Sequence, residues 1–337
     1  MQKRLNSWNS KSLSLAGRCT LAHSALASIP SYAMQTMKIL VAVCEKVDKM
    51  CCNFIWWSDV NRRKVHPISW DNICKPKSEG GLGFRTAKEN NKLFLMKLAW
   101  MLINNKESLW VKVLRSKYGC GEALLPKVKL KNSSFNTWQG IVKIWNDFTP
   151  HLIWRIGDGK EVAFWTDQWI AGIPKLSDLA LEDIHPVIKD KMADYANSDG
   201  TWKLSFLNQI LPSEAFDMIR SIKAPQWDLG EDMIYWLPSP TRIFSIKSTY
   251  LAIHQSNPSS EFLFDKIWKL HFSQRLRAFA WLLSQNALLT NENRARRRLT
   301  EVADCPRCPN NSETLLHVMR DCPFISRTWK SLVNRNS

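Results

Sequence analysis

Cys305-Pro306-Arg307-Cys308, then eight residues, His317, four residues and Cys322 form the most specific chemical pattern in this 337-residue chain. Thiolates and imidazole are the ligands Zn²⁺ prefers, and four of them close a tetrahedral structural site. Two Cys separated by two residues grip one ion from a single tight turn. His317 and Cys322 supply the other two ligands from a short helix over 314–320 and the turn after it. Two other readings remain at this stage: unpaired surface thiols beside a helix histidine, or a redox Cys pair. A redox pair is expected near a βαβ pattern, none is visible, and Pro306 and Pro309 favour a fixed turn. The pattern therefore predicts a structural Zn²⁺ held by Cys305, Cys308, His317 and Cys322.

Working outward, the charge points the same way. Lys plus Arg number 47 against 30 Asp plus Glu, a net +17. Such an excess favours a polyanionic partner, of which nucleic acid is the commonest. Residues 266–337 hold 13 Lys/Arg and 5 Asp/Glu, a net +8, so nearly half of the surplus surrounds the motif. Three thiolates leave a zinc site itself near −1, so the surrounding arginines must do any anion binding.

The nine Cys show no disulfide framework, which fits a reducing compartment, nucleus or cytoplasm. Cys19, Cys44, Cys51, Cys52 and Cys74 read as small core residues, whereas Cys120, after a Gly, reads as exposed. The most apolar run, residues 93–103, contains Lys97 and is too short for a membrane span. The first 44 residues lack Asp and Glu, a composition shared with organellar transit peptides.

Periodicity predicts helices along most of the chain. Leu21, Ala22, Ala25, Leu26 and Ile29 mark one face, ended by Pro30. Val43, Val47, Met50, Cys51 and Phe54 mark the next. Gly80-Gly81-Leu82-Gly83 lacks the elements of a nucleotide-binding loop and reads as a turn. Thr86 and Glu89 form a capping box for a long helix bearing Leu93, Met96, Trp100 and Ile103. Further helices pass through Trp110 to Tyr118 and Trp138 to Trp145. Asp158-Gly159 between two apolar runs predicts a β-hairpin over 153–165. A second hairpin is expected around Pro238-Ser239-Pro240. Residues 174–186 read as a loop-rich connector and 206–222 as a weaker helix. Helices are then expected over 249–254, 262–270, 274–289 and 292–299. At helix and strand spacing, the 17 Trp read mainly as core. The fold class is mainly α with short β-hairpins (α+β), a multi-part helical assembly ending in a small zinc-stabilised helical module.

Five stretches carry a family resemblance. They are Gly17-Arg18 through Ser28-Ile29-Pro30-Ser31-Tyr32; residues 64–70 with 75–85; Trp154-Arg155-Ile156-Gly157-Asp158-Gly159 with Phe164-Trp165-Thr166-Asp167-Gln168-Trp169; Phe244-Ser245-Ile246-Lys247-Ser248-Thr249-Tyr250; and residue 267 onward to Cys322. In these the chain resembles the C-terminal part of reverse transcriptases encoded by plant non-LTR (LINE-type) retrotransposons, relatives of which are often labelled ribonuclease H proteins. The resemblance implies that 1–60 is a helical remnant of the polymerase thumb. Beyond it, the pattern of elements reads as a helical connector at 61–170 with the hairpin at 153–165 and a linker and helical region at 171–232, and the resemblance further implies a reverse transcriptase zinc-binding domain at 233–337. Its metal positions would be the same Cys305, Cys308, His317 and Cys322.

A polymerase of that family holds two Mg²⁺ on an Asp-Asp turn and a further Asp, and no adjacent Asp pair occurs in this chain. A ribonuclease H domain would follow the zinc region. The expectation is therefore a non-catalytic, zinc-binding partner of RNA or DNA, whether retrotransposon RNA or target DNA, with no membrane role. Arg294, Arg296, Arg297, Arg298, Arg307, Arg320, Arg327 and Lys330 are the candidate phosphate contacts. The alternatives are an active polymerase or nuclease, and an inert or adapted structural relic.

Overall fold

The computed structural model describes residues 12–57, 65–179, 190–197, 199–203, 207, 211–254, 262–308 and 311–333. Helices α1 (Leu15–Leu21), α2 (Val41–Ile55), α3 (Ala87–Asn104), α4 (Leu109–Tyr118) and α5 (Asn136–Phe148) precede strand β1 (Leu152–Arg155). Helix α6 (Ser213–Ser221), strand β2 (Met233–Trp236) and helix α7 (Ile246–Ile253) follow. The chain continues through α8 (Phe262–Lys269), α9 (Gln274–Ser284), α10 (Asn291–Arg296) and α11 (Pro323–Val333). The mainly helical class is as the sequence reads. Among the described residues, no helix is long and apolar enough to cross a membrane.

The chain divides into two compact units: residues 1–31, 40–89 and 256–337 form one, and 32–39 with 90–255 the other. This division does not follow the expected boundaries at 60, 170 and 232. It groups segments that are remote in sequence because their apolar faces bury one another.

The second unit has an aromatic core. Trp138, Trp165 and Trp236 are fully buried. Tyr118 stacks on Trp138 with centroids 4.2 Å apart, and Phe164 stacks on Tyr195 at 4.1 Å. Buried indoles need an acceptor for their N–H, and each of these finds one. Trp138 donates to the Lys129 carbonyl at 3.0 Å, Trp165 to the Tyr195 hydroxyl at 2.8 Å and Trp236 to Ser248 Oγ at 3.0 Å. Cys120, expected on the surface, is fully buried in the same core, because Gly119 turns the chain back after α4.

The one sheet of the described residues corrects the hairpin expectation. β1 pairs antiparallel with β2, from Leu152 opposite Trp236 to Arg155 opposite Met233. Residues 162–165 do not pair with β1, and Ala163 instead bridges Lys191. The cause lies in the turn itself. The buried Asp232 carboxylate accepts from the backbone N–H of Gly157 at 2.7 Å, Gly159 at 3.0 Å, Glu161 at 2.9 Å and Val162 at 3.4 Å. Those amides face a carboxylate and not a partner strand. A Cβ at Gly157 would run into the Gly230 and Glu231 carbonyls, so only Gly allows this approach. Around Pro238 the chain makes a turn, with β2 as its only strand. Of the weaker helix expected over 206–222, Ser213–Ser221 forms; residues 206 and 208–210, and 180–186 of the connector, lie outside the described residues.

The first unit packs Leu26, Ile55, Ile73 and Trp281 around a second core. Ser14 caps α1 by accepting from the Gly17 N–H at 3.2 Å. After α1 a π turn at Ala22–Leu26 continues the face expected over 20–29. On α2 the buried face runs through Cys44, Cys51 and Ile55, while Val43, expected inside, is exposed. The glycine cluster is a turn, as read: the left-handed Gly80 offers its carbonyl to the Trp281 indole at 2.7 Å and to Gln285 at 2.9 Å. The expected capping box opens α3, with the Thr86 N–H on Glu89 at 3.0 Å and the Glu89 N–H on Thr86 Oγ1 at 3.2 Å. Helix α9 stops short of 289 because Asn286 turns left-handed and its neighbours fold back on the last carbonyls.

Asp48 of α2 accepts from the Ala87 N–H at 2.9 Å. Burial pushes its carboxyl up to about 6; the Ala87 N–H and Trp70 pull against this, and Glu89 and Asp71 add to it. An acid raised in the folded state binds protons more readily there, so its contribution to stability falls as pH rises from about 4 to about 6. Relative to Asp48→Asn, wild type is expected to lose on the order of 1 kcal/mol between about pH 4 and pH 7, once screening at this half-buried site is allowed for. Urea midpoints of the two proteins across that range check the sign.

Candidate metal centre

The motif folds as two short pieces facing each other. The Cys305 N–H donates to the Asn311 carbonyl at 2.9 Å and the Asn311 N–H to the Cys308 carbonyl at 3.2 Å, closing the Cys-Pro-Arg-Cys turn. The Asp304–Ser312 bridge holds its base. Pro309 lies outside the described residues. The opposite piece is helical, as expected, but its register is unusual: His317–Asp321 is a π turn, closed by the Cys322 N–H on the His317 carbonyl at 2.8 Å. Five residues of α-helix rotate by about 500°, which would point His317 and Cys322 about 140° apart. The wider π turn returns them to one side. Pro323 then starts α11 at the position where its missing N–H costs nothing.

The four donor atoms of Cys305, Cys308, His317 and Cys322 all lie within 4.8 Å of one another. Cys308 Sγ is 3.7 Å from Cys322 Sγ and 3.0 Å from His317 Nε2. Two thiolates on one zinc ion at 2.3 Å stand about 3.8 Å apart, so the sulfur spacing fits. Cys305, His317 and Cys322 are buried. Burial pushes the Cys305 thiol up, but the Arg307 and Cys308 N–H groups, with His317 and Cys308, outweigh it and bring it to about 6. Burial, then the Cys305 and Cys322 sulfurs, push Cys308 up to about 12. One thiolate forms readily and a second is opposed by it. A dication is the species that lets all three ionise together.

Residues outside the sequence pattern support the site. Thr314 Oγ1 accepts from the His317 N–H at 3.0 Å. The Trp329 indole of α11 donates to the Met319 carbonyl at 2.7 Å. The Glu313 carboxylate accepts from the Asn291 N–H at 2.8 Å, and Asn291 Nδ2 donates to the Asp304 carbonyl at 3.0 Å, tying the start of α10 to the turn. Thr290 Oγ1 accepts from the Asn293 N–H at 3.3 Å and caps α10. The long-range contacts of Glu313 have no sequence signature.

The eight candidate cations separate by environment. Arg297 is half-buried and donates to the His66 carbonyl at 3.3 Å and the Pro67 carbonyl at 2.8 Å, so part of its guanidinium is committed to the fold. Arg296 donates to Asn293 Oδ1 at 2.7 Å, and Arg294 to Asn291 Oδ1 at 3.4 Å. Arg320 pairs with Asp321 at 2.6 Å, and Arg327 sits 5.9 Å from the Phe324 ring. Arg298, Arg307 and Lys330 are exposed. Arg298 is left-handed at φ 57° and ends α10. The Leu299 N–H reaches the Arg294 carbonyl at 2.9 Å and the Arg298 N–H the Ala295 carbonyl at 2.8 Å, an arrangement usually built on Gly.

Residues 244–329 match a family model described as zinc-binding in reverse transcriptase. An Arabidopsis thaliana protein named "Putative ribonuclease H protein At1g65750" is 31% identical over 345 residues, covering 99% of this chain and 54% of that protein. The chain thus spans about half of its length. A second Arabidopsis thaliana relative, "Uncharacterized mitochondrial protein AtMg00310", is 30% identical over 149 residues, 42% of this chain and 93% of the relative. A converging Cys₃His set inside a matched zinc-binding region, within a chain similar along nearly all its length to such relatives, places it: it belongs to the family of proteins derived from plant retrotransposon reverse transcriptases.

Proposed function

We propose that this chain is a non-catalytic, zinc-stabilised, nucleic-acid-binding segment of a LINE-type reverse transcriptase, with Zn²⁺ in a structural role and RNA or DNA as partner. The observation that carries this reading is the Cys₃His cluster in a net-basic region, beside Arg298 and Arg307, which are exposed and form no ion pair among the described residues. Zinc bound there would offset two of the three thiolate charges and leave the site near −1. The chain's own residues do the rest: Thr314 and Asn311 fix the two ligand-bearing pieces, and Arg298 and Arg307 present charge outward. The absence of an adjacent Asp pair supports a role without phosphoryl transfer.

Phosphate contacts make affinity fall steeply with salt, by a slope of about 0.9 per contact on duplex DNA. The double variant Arg298→Gly/Arg307→Ala is expected to bind RNA or DNA more weakly and to flatten that slope by about 2. Arg298→Gly alone should raise stability by about 1 kcal/mol, because Gly relieves the left-handed strain. A thermal midpoint of the double variant no lower than that of wild type rules out misfolding as the cause of its weaker binding. Gel-shift titrations at several salt concentrations provide the test, and an unchanged slope would remove these two arginines from the interface. Primer-extension and hybrid-cleavage assays in Mg²⁺ should yield no product.

A further inference from the structure

A second concentration of charge lies outside the zinc region. Residues 108–146 carry seven Lys/Arg and a single acid, Glu122, a net +6. Two of the seven serve the fold. Arg115 donates to the Leu102 carbonyl at 3.1 Å and the Leu124 carbonyl at 2.9 Å, and Lys112 pairs with Glu107 at 2.7 Å. Lys117, Lys127, Lys129 and Lys131 are different. All four are exposed, and none forms an ion pair or a side-chain hydrogen bond among the described residues.

Their backbone is held in place. The Lys127 N–H donates to the Cys120 carbonyl at 2.9 Å, and the Lys129 carbonyl accepts from the buried Trp138 indole at 3.0 Å. Ser134 Oγ accepts from the Lys131 N–H at 3.1 Å and donates to the Lys131 carbonyl at 2.6 Å. The Phe135 N–H donates to the Tyr118 hydroxyl at 2.9 Å, which ties this loop to the end of α4. Lys131 Nζ comes to 3.6 Å from where a Cβ of Gly119 would stand, and Lys117 Nζ stands 3.3 Å from the centre of the Phe135 ring. Like charges drawn together on a fixed surface repel one another. The C-terminal end of α4 offers roughly half a negative charge, too little to offset four lysines. A polyanion supplies the rest.

The rings nearby narrow the class of polyanion. Tyr118 and Trp138 are buried and stacked on each other, and the exposed Phe135 already has a lysine over its ring. Single strands are held by stacking on open aromatic faces as well as by charge. A duplex encloses its bases and turns its phosphates outward, and lysine meets phosphate as a point charge.

We propose that Lys117, Lys127, Lys129 and Lys131 form a second nucleic-acid surface, in the second unit and outside residues 244–329, that meets the phosphate backbone of a duplex. The proposal rests on the nucleic-acid reading above for its partner, and on none of the arginines named there.

The test uses the full zinc-loaded chain and a fluorescein-labelled DNA duplex, with anisotropy titrations at several salt concentrations. Lys127→Ala/Lys129→Ala/Lys131→Ala is expected to weaken binding and to flatten the salt slope by about 3, at roughly 0.9 per contact. Lys175→Ala/Lys223→Ala/Lys247→Ala removes equal charge from other exposed positions of the second unit, and should leave the slope within about 1 of wild type. Lys117→Ala alone should flatten it by about 1, and serves as the reading if the triple variant has a lowered thermal midpoint. An unchanged slope in a folded variant, or an equal loss in the control, overturns the lysine surface and leaves the nucleic-acid reading standing. An unlabelled single strand of equal length that competes as well as unlabelled duplex overturns the assignment to a duplex. If neither form binds wild type, the nucleic-acid reading fails and the lysine surface falls with it.

Discussion

Adding a chelator, or replacing Cys308 by Ser, is expected to melt residues 303–333 while the second unit stays folded. Among the described residues from 291 to 333, those that are buried are Asn293, Cys305, His317 and Cys322. Three of the four belong to the converging Cys₃His set. Leu299, Val302, Leu316, Phe324, Trp329 and Leu332 are all exposed. A segment with so little apolar burial cannot offset its own conformational entropy. Structural zinc in small peptides contributes about 10–16 kcal/mol of apparent binding free energy, which more than closes such a gap. Helix α10 should outlast the rest. Asn293 donates to the Asn286 and Leu288 carbonyls at 3.1 and 2.7 Å, and Arg297 holds the His66 and Pro67 carbonyls. Hydrogen exchange on the chelated protein should therefore show deprotection from about residue 303 onward, with α4 and α5 unchanged. Uniform protection with and without chelator would show that the fold does not need the ion.

The second large effect concerns Asp232. Replacing it by Ala removes the acceptor for four backbone N–H groups at once. Each orphaned buried donor costs about 1–3 kcal/mol, and local relaxation will admit water to some of them. A net loss of about 4 kcal/mol in the second unit is expected, in the range for breaking a buried charged contact. Asp232→Asn should cost roughly half as much, since one oxygen still accepts while the new amide N–H₂ faces other donors. Urea unfolding followed by tryptophan emission measures both, because Trp154, Trp165 and Trp236 lie in this core. A loss below about 1 kcal/mol for the Ala variant would mean that the turn finds other acceptors.

What the sequence showed and what it concealed differ in range. The ligand set, the capping box, the turn nature of the Gly cluster and most helices were legible, because each rests on residues a few positions apart. Trp as core was legible too, since burial follows periodicity. The hairpin at 153–165 misled because its local signal was genuine: Asp158-Gly159 does turn the chain. Its amides, however, are claimed by Asp232, some seventy residues on, and β1 pairs with β2 instead. No short-range rule contains that competition. Cys120 and Val43 failed for a related reason, as burial at a helix end or edge depends on which distant segment arrives. The His317–Cys322 spacing held a signal that went unused. Two ligands five apart do not share a face of an α-helix, so a shared ion requires Cys322 to leave the α-helical register, which a widened turn or a helix end before it achieves.

The central claim is that three sulfurs and an imidazole hold one ion, which takes the place of a hydrophobic core for the last part of the described chain. Elemental analysis of the purified protein beside its Cys308→Ser variant tests this most directly. A single zinc ion per chain in wild type, lost or sharply reduced in the variant, is the predicted result. Zinc absent from well-folded wild type, or retained in full by the variant, would contradict it.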